Sequence, residues 1–303
     1  MEVDVKYKHR TSKFINYFDK TPEGVYCPHF WVLAHANTKN CPMNCQYCFA
    51  RLTFRRQNPD VIIYTNYRDI IKQTSAWINK TQKPSVLNAG EYCDFFIRTL
   101  VNSREKLADK LIPLFRKQSK QKLLILTKTN KIKSLLDIEP TDSVIVSASI
   151  NCERNAKEFE RNAPPPIKRI SALLKLQEQG WKDIRVRIDP GVFTPDWNDH
   201  YSSLLTTIHE IGLSPTRFTL GTLRFFGGVK GCWEIVKKYR LKVEKCEEDG
   251  RYRLVDRVKF YKFMIPLIQD LFPSAEFGLC KETEKTYAML NMNPEDSKCN
   301  CTL

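Results

Sequence analysis

The chain has 303 residues, 42% of them hydrophobic and 27% charged, which is enough apolar material for one large α/β domain or two small ones and excludes a disordered chain. Its formal net charge of +15 suits a polyanionic partner such as DNA or RNA, although a lysine-rich face is also an ordinary solvated surface. Eleven cysteines are present, but Met1–Lys6 carries no apolar h-region and no run of about 18 apolar residues follows. The expected setting is therefore a reducing cytoplasm with no membrane segment. There, cysteines act as ligands, radical partners or buried hydrophobes rather than bridges.

In chain order, the first predicted barrel strand, Phe30 to Ala36, runs into Asn40-Cys41-Pro42-Met43-Asn44-Cys45-Gln46-Tyr47-Cys48-Phe49-Ala50. With eleven cysteines in the chain, C-x3-C-x2-C spacing arises by chance in roughly one such sequence per hundred. Three thiolates, Cys41, Cys45 and Cys48, can hold three corners of a [4Fe-4S] cube, which leaves the fourth iron open. An open iron binds the amino and carboxylate groups of S-adenosylmethionine, which is then cleaved reductively to a 5'-deoxyadenosyl radical. Zinc normally wants four protein ligands, and only His29 and His35 lie close by in sequence. Arg51, Arg55 and Arg56, just past the motif, either guide a polyanion or form a solvated helix face. Cys27 reads as structural.

Apolar, β-rich runs then alternate with amphipathic ones, as in a parallel sheet with crossover helices. The further strands are predicted at Ser85 to Ala89, Lys122 to Thr127, Ser143 to Ile150, Asp183 to Ile188, Arg217 to Leu220 and Ala275 to Leu279. Helices are predicted over Tyr67 to Asn79, Arg104 to Lys117, Ile167 to Gln179 and Tyr201 to Ile211, with Gly180 and Gly212 as C-caps. The fold class is α/β, a partial (β/α)6 TIM-like barrel. The expected core spans residues 1–228, followed by a C-terminal region, 229–303, with a basic hairpin, the last strand and a cysteine-containing tail.

That hairpin pairs Tyr239 to Cys246 with Arg251 to Val255 around a Glu247-Glu248-Asp249-Gly250 turn, and it suits either phosphates or plain solvent. Strand C-terminal ends of a β/α barrel converge on one mouth. Here they lead into Asn88-Ala89-Gly90-Glu91-Tyr92-Cys93-Asp94, Thr127-Lys128-Thr129, Ser147-Ala148-Ser149-Ile150-Asn151-Cys152, Arg187-Ile188-Asp189-Pro190, Gly221-Thr222-Leu223-Arg224 and Cys280-Lys281-Glu282. Arg187 and Asp189 form either a buried ion pair supporting the mouth or a substrate contact. No second cluster is expected from Cys280, Cys299 and Cys301.

The cysteine spacing with Tyr47 resembles the radical SAM superfamily. Over most of its length the chain resembles one branch of it, the spore photoproduct lyase family, through the cluster loop, Leu126-Thr127-Lys128, Ser147-Ala148-Ser149-Ile150-Asn151, Ala163-Pro164-Pro165, Arg187-Ile188-Asp189-Pro190, Thr219-Leu220-Gly221-Thr222-Leu223-Arg224 and Leu279-Cys280-Lys281-Glu282-Thr283. The resemblance implies a radical SAM barrel with a C-terminal hairpin contacting DNA, and repair of the UV-induced methylene-bridged thymine dimer. It further implies a [4Fe-4S] cluster and S-adenosyl-L-methionine as cofactors, UV-damaged DNA as partner, and an electron donor such as flavodoxin or ferredoxin. Gly90 and Glu91 then match the Gly-Glu element that accepts the methionine ammonium, with Lys128, Ser147, Ser149 and Tyr47 as further cofactor contacts. Cys93 and Tyr47 are the candidate hydrogen-transfer residues.

The sequence departs from the family at two points. Phe49 stands where the lyases often have tyrosine, and an ungapped alignment puts Glu91 at the donor cysteine's position, with Cys93 two residues later. These departures leave open a radical SAM enzyme acting on a peptide, nucleoside or small metabolite. A redox sensor in a nucleic-acid-binding regulator explains charge and cluster but not the polar residues at the strand ends.

Overall fold

Runs such as Leu-Leu-Ile-Leu at 123–126 and Val-Ile-Val at 144–146 are apolar without alternation, which suits strands buried on both faces. In the computed structural model, which describes residues 4–19, 21–38, 41–50, 61–246 and 249–303, these runs lie at the centre of the main sheet. In chain order the strands are β1 (Val5–Lys8), β2 (Ile15–Phe18), β3 (Val25–Tyr26), β4 (Phe30–Leu33), β5 (Ala36–Thr38), β6 (Val61–Tyr64), β7 (Val86–Asn88) and β8 (Lys122–Thr127). They continue as β9 (Val144–Ser149), β10 (Asp183–Gly191), β11 (Arg217–Thr222), β12 (Arg224–Phe225), β13 (Val243–Cys246), β14 (Asp249–Tyr252), β15 (Glu276–Leu279) and β16 (Glu282–Thr283).

Eight of them form one sheet in the order β15-β11-β10-β9-β8-β7-β4-β2. All neighbours from β4 to β15 are parallel, while β2 lies antiparallel to β4. The sheet is open between β15 and β2, so the barrel is partial, as expected, with β15 as a seventh parallel strand. Every predicted barrel strand is present. The side sheet β1-β6-β5 and the edge strand β2 were not foreseen.

Helices Tyr67–Lys80, Ala108–Arg116, Pro166–Gln179 and Trp197–Glu210 correspond to the four predicted ones. The second starts four residues late, at Ala108, and the fourth starts four residues early, at Trp197. Gly180, at φ 108°, caps its helix in the left-handed region, and Gly212, at φ 85°, follows the next one likewise. Outward-facing Val144, Val146 and Ala148 of β9 join the main core, while inward-facing Ile145 packs with Val86, Leu124 and Leu126.

The basic hairpin is present as β13 against β14, and β14 also pairs with β12. Its expected bounds need correction. A helix over Lys230–Tyr239 takes Tyr239, and another over Leu254–Leu271 takes Leu254 and Val255. Gly250 pairs opposite Lys245, so Asp249 and Gly250 belong to the strand rather than the turn. Glu247 and Glu248 lie outside the described residues, as do Asn40, Arg51, Arg55 and Arg56.

The C-terminal tail fills the floor of the half-barrel. Arg185 Nη1 donates to the carbonyls of Asn300 (2.9 Å) and Thr302 (2.7 Å), and Arg217 Nη1 to those of Cys299 (3.1 Å) and Thr302 (2.9 Å). Gly278 on β15 admits this passage, since a Cβ there would sit 2.3 Å from the Lys298 carbonyl carbon. Among the described residues no helix is long and apolar enough to cross a membrane.

Candidate active site

The cysteine loop is held from two sides. An isolated bridge joins Cys45 to Glu160, Gln46 N donates to Phe159 O (2.7 Å), and Asn162 N donates to Met43 O (3.1 Å). On the other side, the helix Lys230–Tyr239 packs so closely that a Cβ on Gly231 would lie 2.1 Å from Gln46 O. Asn44 takes a left-handed turn, φ 49°, which asparagine tolerates well.

The loop after β7 is fixed as firmly. A Cβ on Gly90 would meet Leu126 O at 2.2 Å, and the Asp94 carboxylate accepts from Lys128 N (2.8 Å), Phe96 N (2.9 Å) and Thr127 Oγ1 (2.9 Å). Burial pushes the Asp94 pKa up against those hydrogen bonds. Between the two loops lies a cavity of about 170 Å³, lined by Cys41, Cys45 and Cys48, by Gly90, Glu91 and Cys93, and by Tyr47, Phe49, Lys128, Ser149, Arg187 and Arg224. The sequence-predicted residues therefore meet at one mouth, with one exception. Ser147 lies one inward position deeper than Ser149, paired in register with Leu126 and Arg185, and is below the cavity wall rather than on it. Strand alternation carries inward side chains down the barrel in steps of two residues, which sets Ser147 one step below Ser149.

Ion pairs set the chemistry of the walls. Arg187 donates to Asp189 Oδ2 through Nη2 (2.7 Å) and Nε (3.1 Å), which is the supporting pair the sequence suggested. Its Nη1 also reaches Glu91 Oε2 (3.3 Å), which accepts in addition from Asn88 Nδ2 (3.2 Å). Lys128 Nζ donates to Glu160 Oε1 (2.7 Å) and lies 5.7 Å from the centre of the Tyr47 ring.

Glu160 was missed by sequence reasoning. Its carboxylate is fully buried between Lys128 and Arg169, whose Nη2 lies 2.5 Å from Oε2, and it accepts the Tyr47 hydroxyl in a short bond. Burial alone would raise its pKa, but Lys128 and Arg169 overcome that and bring it down to about 2. The same burial, with Glu160 beside it, holds the Tyr47 phenol well above its ordinary pKa. Tyr47 is therefore a neutral phenol whose proton points at a carboxylate.

Cys93 is buried beside His35, with Sγ 3.5 Å from Nε2, and burial pushes its pKa up to about 12. It is a thiol, with its hydrogen in place, at neutral pH. His35 Nε2 lies 2.9 Å from Ala89 O, and burial lowers the His35 pKa to about 3, so the ring is neutral and donates from Nε2.

The three motif cysteines fit an iron-sulfur cluster by their chemistry. They line one cavity, and burial holds Cys45 at about 12 and Cys41 above its ordinary value, so loading a metal would release protons. Among the described residues no three His, Cys, Asp or Glu side chains converge as ligands of a single ion. A cubane asks less of them, because each thiolate takes a different iron.

Comparison with known proteins decides the lineage. The family model of spore photoproduct lyase matches residues 33–267, most of the chain. The chain belongs to the spore photoproduct lyase family. A curated relative, the spore photoproduct lyase of Bacillus subtilis (strain 168), is 26% identical over 218 residues, covering 70% of this chain and 62% of the relative. The chain thus spans somewhat less than two thirds of that relative. A solved spore photoproduct lyase complexed with dinucleoside spore photoproduct matches with TM-score 0.72 and 21% identity, over 90% of this chain and 81% of that one. A variant with bound AdoMet and dinucleoside spore photoproduct matches with TM-score 0.65 and 22% identity, over 77% and 72%. At these identities the solved structures establish the shared fold.

Proposed function

We propose that this member of the spore photoproduct lyase family is a radical SAM enzyme that acts on UV-damaged DNA as a thymine-dimer lyase. The observation that carries the reading is the convergence of Cys41, Cys45 and Cys48 on the cavity that Glu91, Lys128, Ser149 and Cys93 also line. When bound to the three thiolates, a [4Fe-4S] cluster with one open iron supplies the electron that cleaves S-adenosylmethionine to a 5'-deoxyadenosyl radical.

The chain's own residues do the rest. Glu91, an anion at the cavity wall, accepts the methionine ammonium, and Asn88 and Arg187 fix its orientation. Arg187 and Lys128 offer positive charge to a carboxylate or phosphate, and the Ser149 hydroxyl bonds a polar edge. Both cations already hold an acid partner, which pre-orders them. Cys93, protonated and buried at the cavity edge, gives a hydrogen atom to the product radical: its S–H bond breaks as the product C–H bond forms, and the unpaired electron passes to Cys93 Sγ; Phe49 has no such hydrogen to give. The reading includes a reducing cytoplasmic setting and an external one-electron donor of the flavodoxin or ferredoxin class.

The test is anaerobic incubation of the reconstituted protein with S-adenosylmethionine, a strong reductant and DNA carrying the spore-type dimer, followed by mass spectrometry. The reading expects 5'-deoxyadenosine together with recovered thymine. 5'-Deoxyadenosine with the lesion intact would move the substrate to another class, the outcome that Phe49 and the displaced cysteine favour. Absence of both 5'-deoxyadenosine and recovered thymine would end the radical SAM reading.

A further inference from the structure

Beneath the cavity the C-terminal tail carries two cysteines that the reaction above does not use. Thr302 N donates to Cys299 O (3.2 Å), and Thr302 Oγ1 donates to the same oxygen (2.9 Å), so residues 299–302 form a β-turn with the two cysteines at its first and third positions. The turn folds the Cα atoms of those two residues toward each other, as the short Cα separation of a disulfide requires. The turn is locked by the two floor arginines, Arg185 and Arg217, which hold the Cys299, Asn300 and Thr302 carbonyls.

We propose that Cys299 and Cys301 are a redox-active dithiol that closes to an intramolecular disulfide in exchange with a low-molecular-weight disulfide. Cys301 is the entry sulfur, because it lines an open cleft beside Trp31, Val86 and Thr302, whereas Cys299 is buried. In the first step the Cys301 sulfur attacks one sulfur of the small disulfide, forming a mixed disulfide and expelling one thiolate. The Cys299 sulfur then attacks Cys301 Sγ, the protein disulfide forms, and the second small thiolate leaves. The two protons of the dithiol end on the two small thiols, and two electrons pass from the protein to the oxidant.

The pair titrates as a unit: the neighbouring sulfur, helped by Arg187 and Arg217, lowers Cys299 to about 7, while Cys299 and burial raise Cys301 above its ordinary value, so the Cys301 sulfur attacks after its proton has passed to Cys299. The switch also has a mechanical connection upward. Asn88 Nδ2 lies 3.5 Å from Cys301 Sγ and 3.2 Å from Glu91 Oε2, so moving Cys301 into a disulfide removes one partner of the amide that holds the cavity carboxylate. The dithiol itself rests on the tail geometry alone, not on the function proposed above.

The full chain, equilibrated anaerobically in a series of glutathione/glutathione disulfide buffers, is alkylated and digested, and each cysteine's state is read by mass spectrometry. The expected result is coordinate loss of both thiols, with a Cys299–Cys301 disulfide at least tenfold in excess of the dithiol at the oxidising end and Cys280 still alkylated. The Cys301→Ser variant should leave Cys299 without any intramolecular cross-link. A parallel series in concentrated urea separates fold from mere proximity in sequence, and the native series should close under more reducing conditions. Both thiols remaining alkylatable throughout, a stable glutathione adduct on Cys301, a disulfide to Cys280, or closure only in urea would each overturn the proposal.

Discussion

Replacing Glu160 with glutamine should destabilise the protein by about 3–5 kcal/mol, the cost of removing one partner from a buried charge cluster. The carboxylate is fully buried, Arg169 beside it is equally buried, and Lys128 keeps 19% of its side chain exposed. Most of the loss therefore falls on Arg169, which has no route to water, while Lys128 can turn toward the cavity. An independent route gives the same scale. A fall of the Glu160 pKa from 4.5 to about 2 corresponds to about 3 kcal/mol of preference for the charged form in the folded state. Because the folded pKa is the depressed one, this stability is complete above about pH 4.5 and is lost as the pH falls toward 2. Denaturant unfolding followed by tryptophan fluorescence at pH 7 and at pH 3 measures it: the gap between wild type and Glu160→Gln should narrow at the lower pH. Adding Arg169→Met to Glu160→Gln should recover part of the loss. A single variant within 1 kcal/mol of wild type at pH 7, with an unchanged pH profile, would refute the claim that Glu160 is a charged, load-sharing anchor of Tyr47 and Lys128.

Gly231→Ala forces a Cβ within 2.1 Å of Gln46 O and should cost about 1–3 kcal/mol by overpacking, with less iron retained after gel filtration. Gly227→Ala, where the added carbon meets nothing within 4 Å, is its control and should retain iron normally. Cys93→Ala should leave 5'-deoxyadenosine formation intact and turn the product distribution toward abortive species, read by mass spectrometry; an unchanged distribution removes Cys93 from the mechanism. Arg217→Met takes away the donors to the Cys299 and Thr302 carbonyls and should speed amide hydrogen exchange across residues 298–303 at least tenfold, while β8 and β9 remain protected.

Much of this was legible in the sequence, because the relevant signals were local. Buried parallel strands read as continuous apolar runs, so β8 and β9 stood out, and the motif cysteines, Gly90-Glu91 and Lys128 are adjacent to strand ends whose convergence follows from the barrel. Glu160 was not legible. It follows a short helix written Glu-Arg-Asn-Ala-Lys-Glu-Phe, in a stretch whose charges look like an exposed face, and only tertiary contact with Tyr47 and Arg169 makes it a buried anchor. The helix Leu254–Leu271 escaped for a related reason: with Pro266 inside it and apolar residues on several faces, it lacks a clean amphipathic stripe. The tail was read as an end with two cysteines. Its place in the barrel floor depends on Arg185, Arg217 and the bare Gly278, residues more than 80 positions upstream in the case of the arginines and joined to it only by the fold.

The central claim is that Cys41, Cys45 and Cys48 hold a cluster whose open iron takes S-adenosylmethionine against Glu91. The direct measurement is electron paramagnetic resonance of the anaerobically reconstituted, reduced protein, before and after addition of S-adenosylmethionine labelled with 15N in its amino group. The account predicts a reduced [4Fe-4S] signal that shifts on addition and acquires 15N hyperfine coupling, with the coupling weakened in Glu91→Gln and the signal absent when Cys45 is replaced by alanine. A cluster signal indifferent to the cofactor, or iron bound without any of the three cysteines, would contradict it.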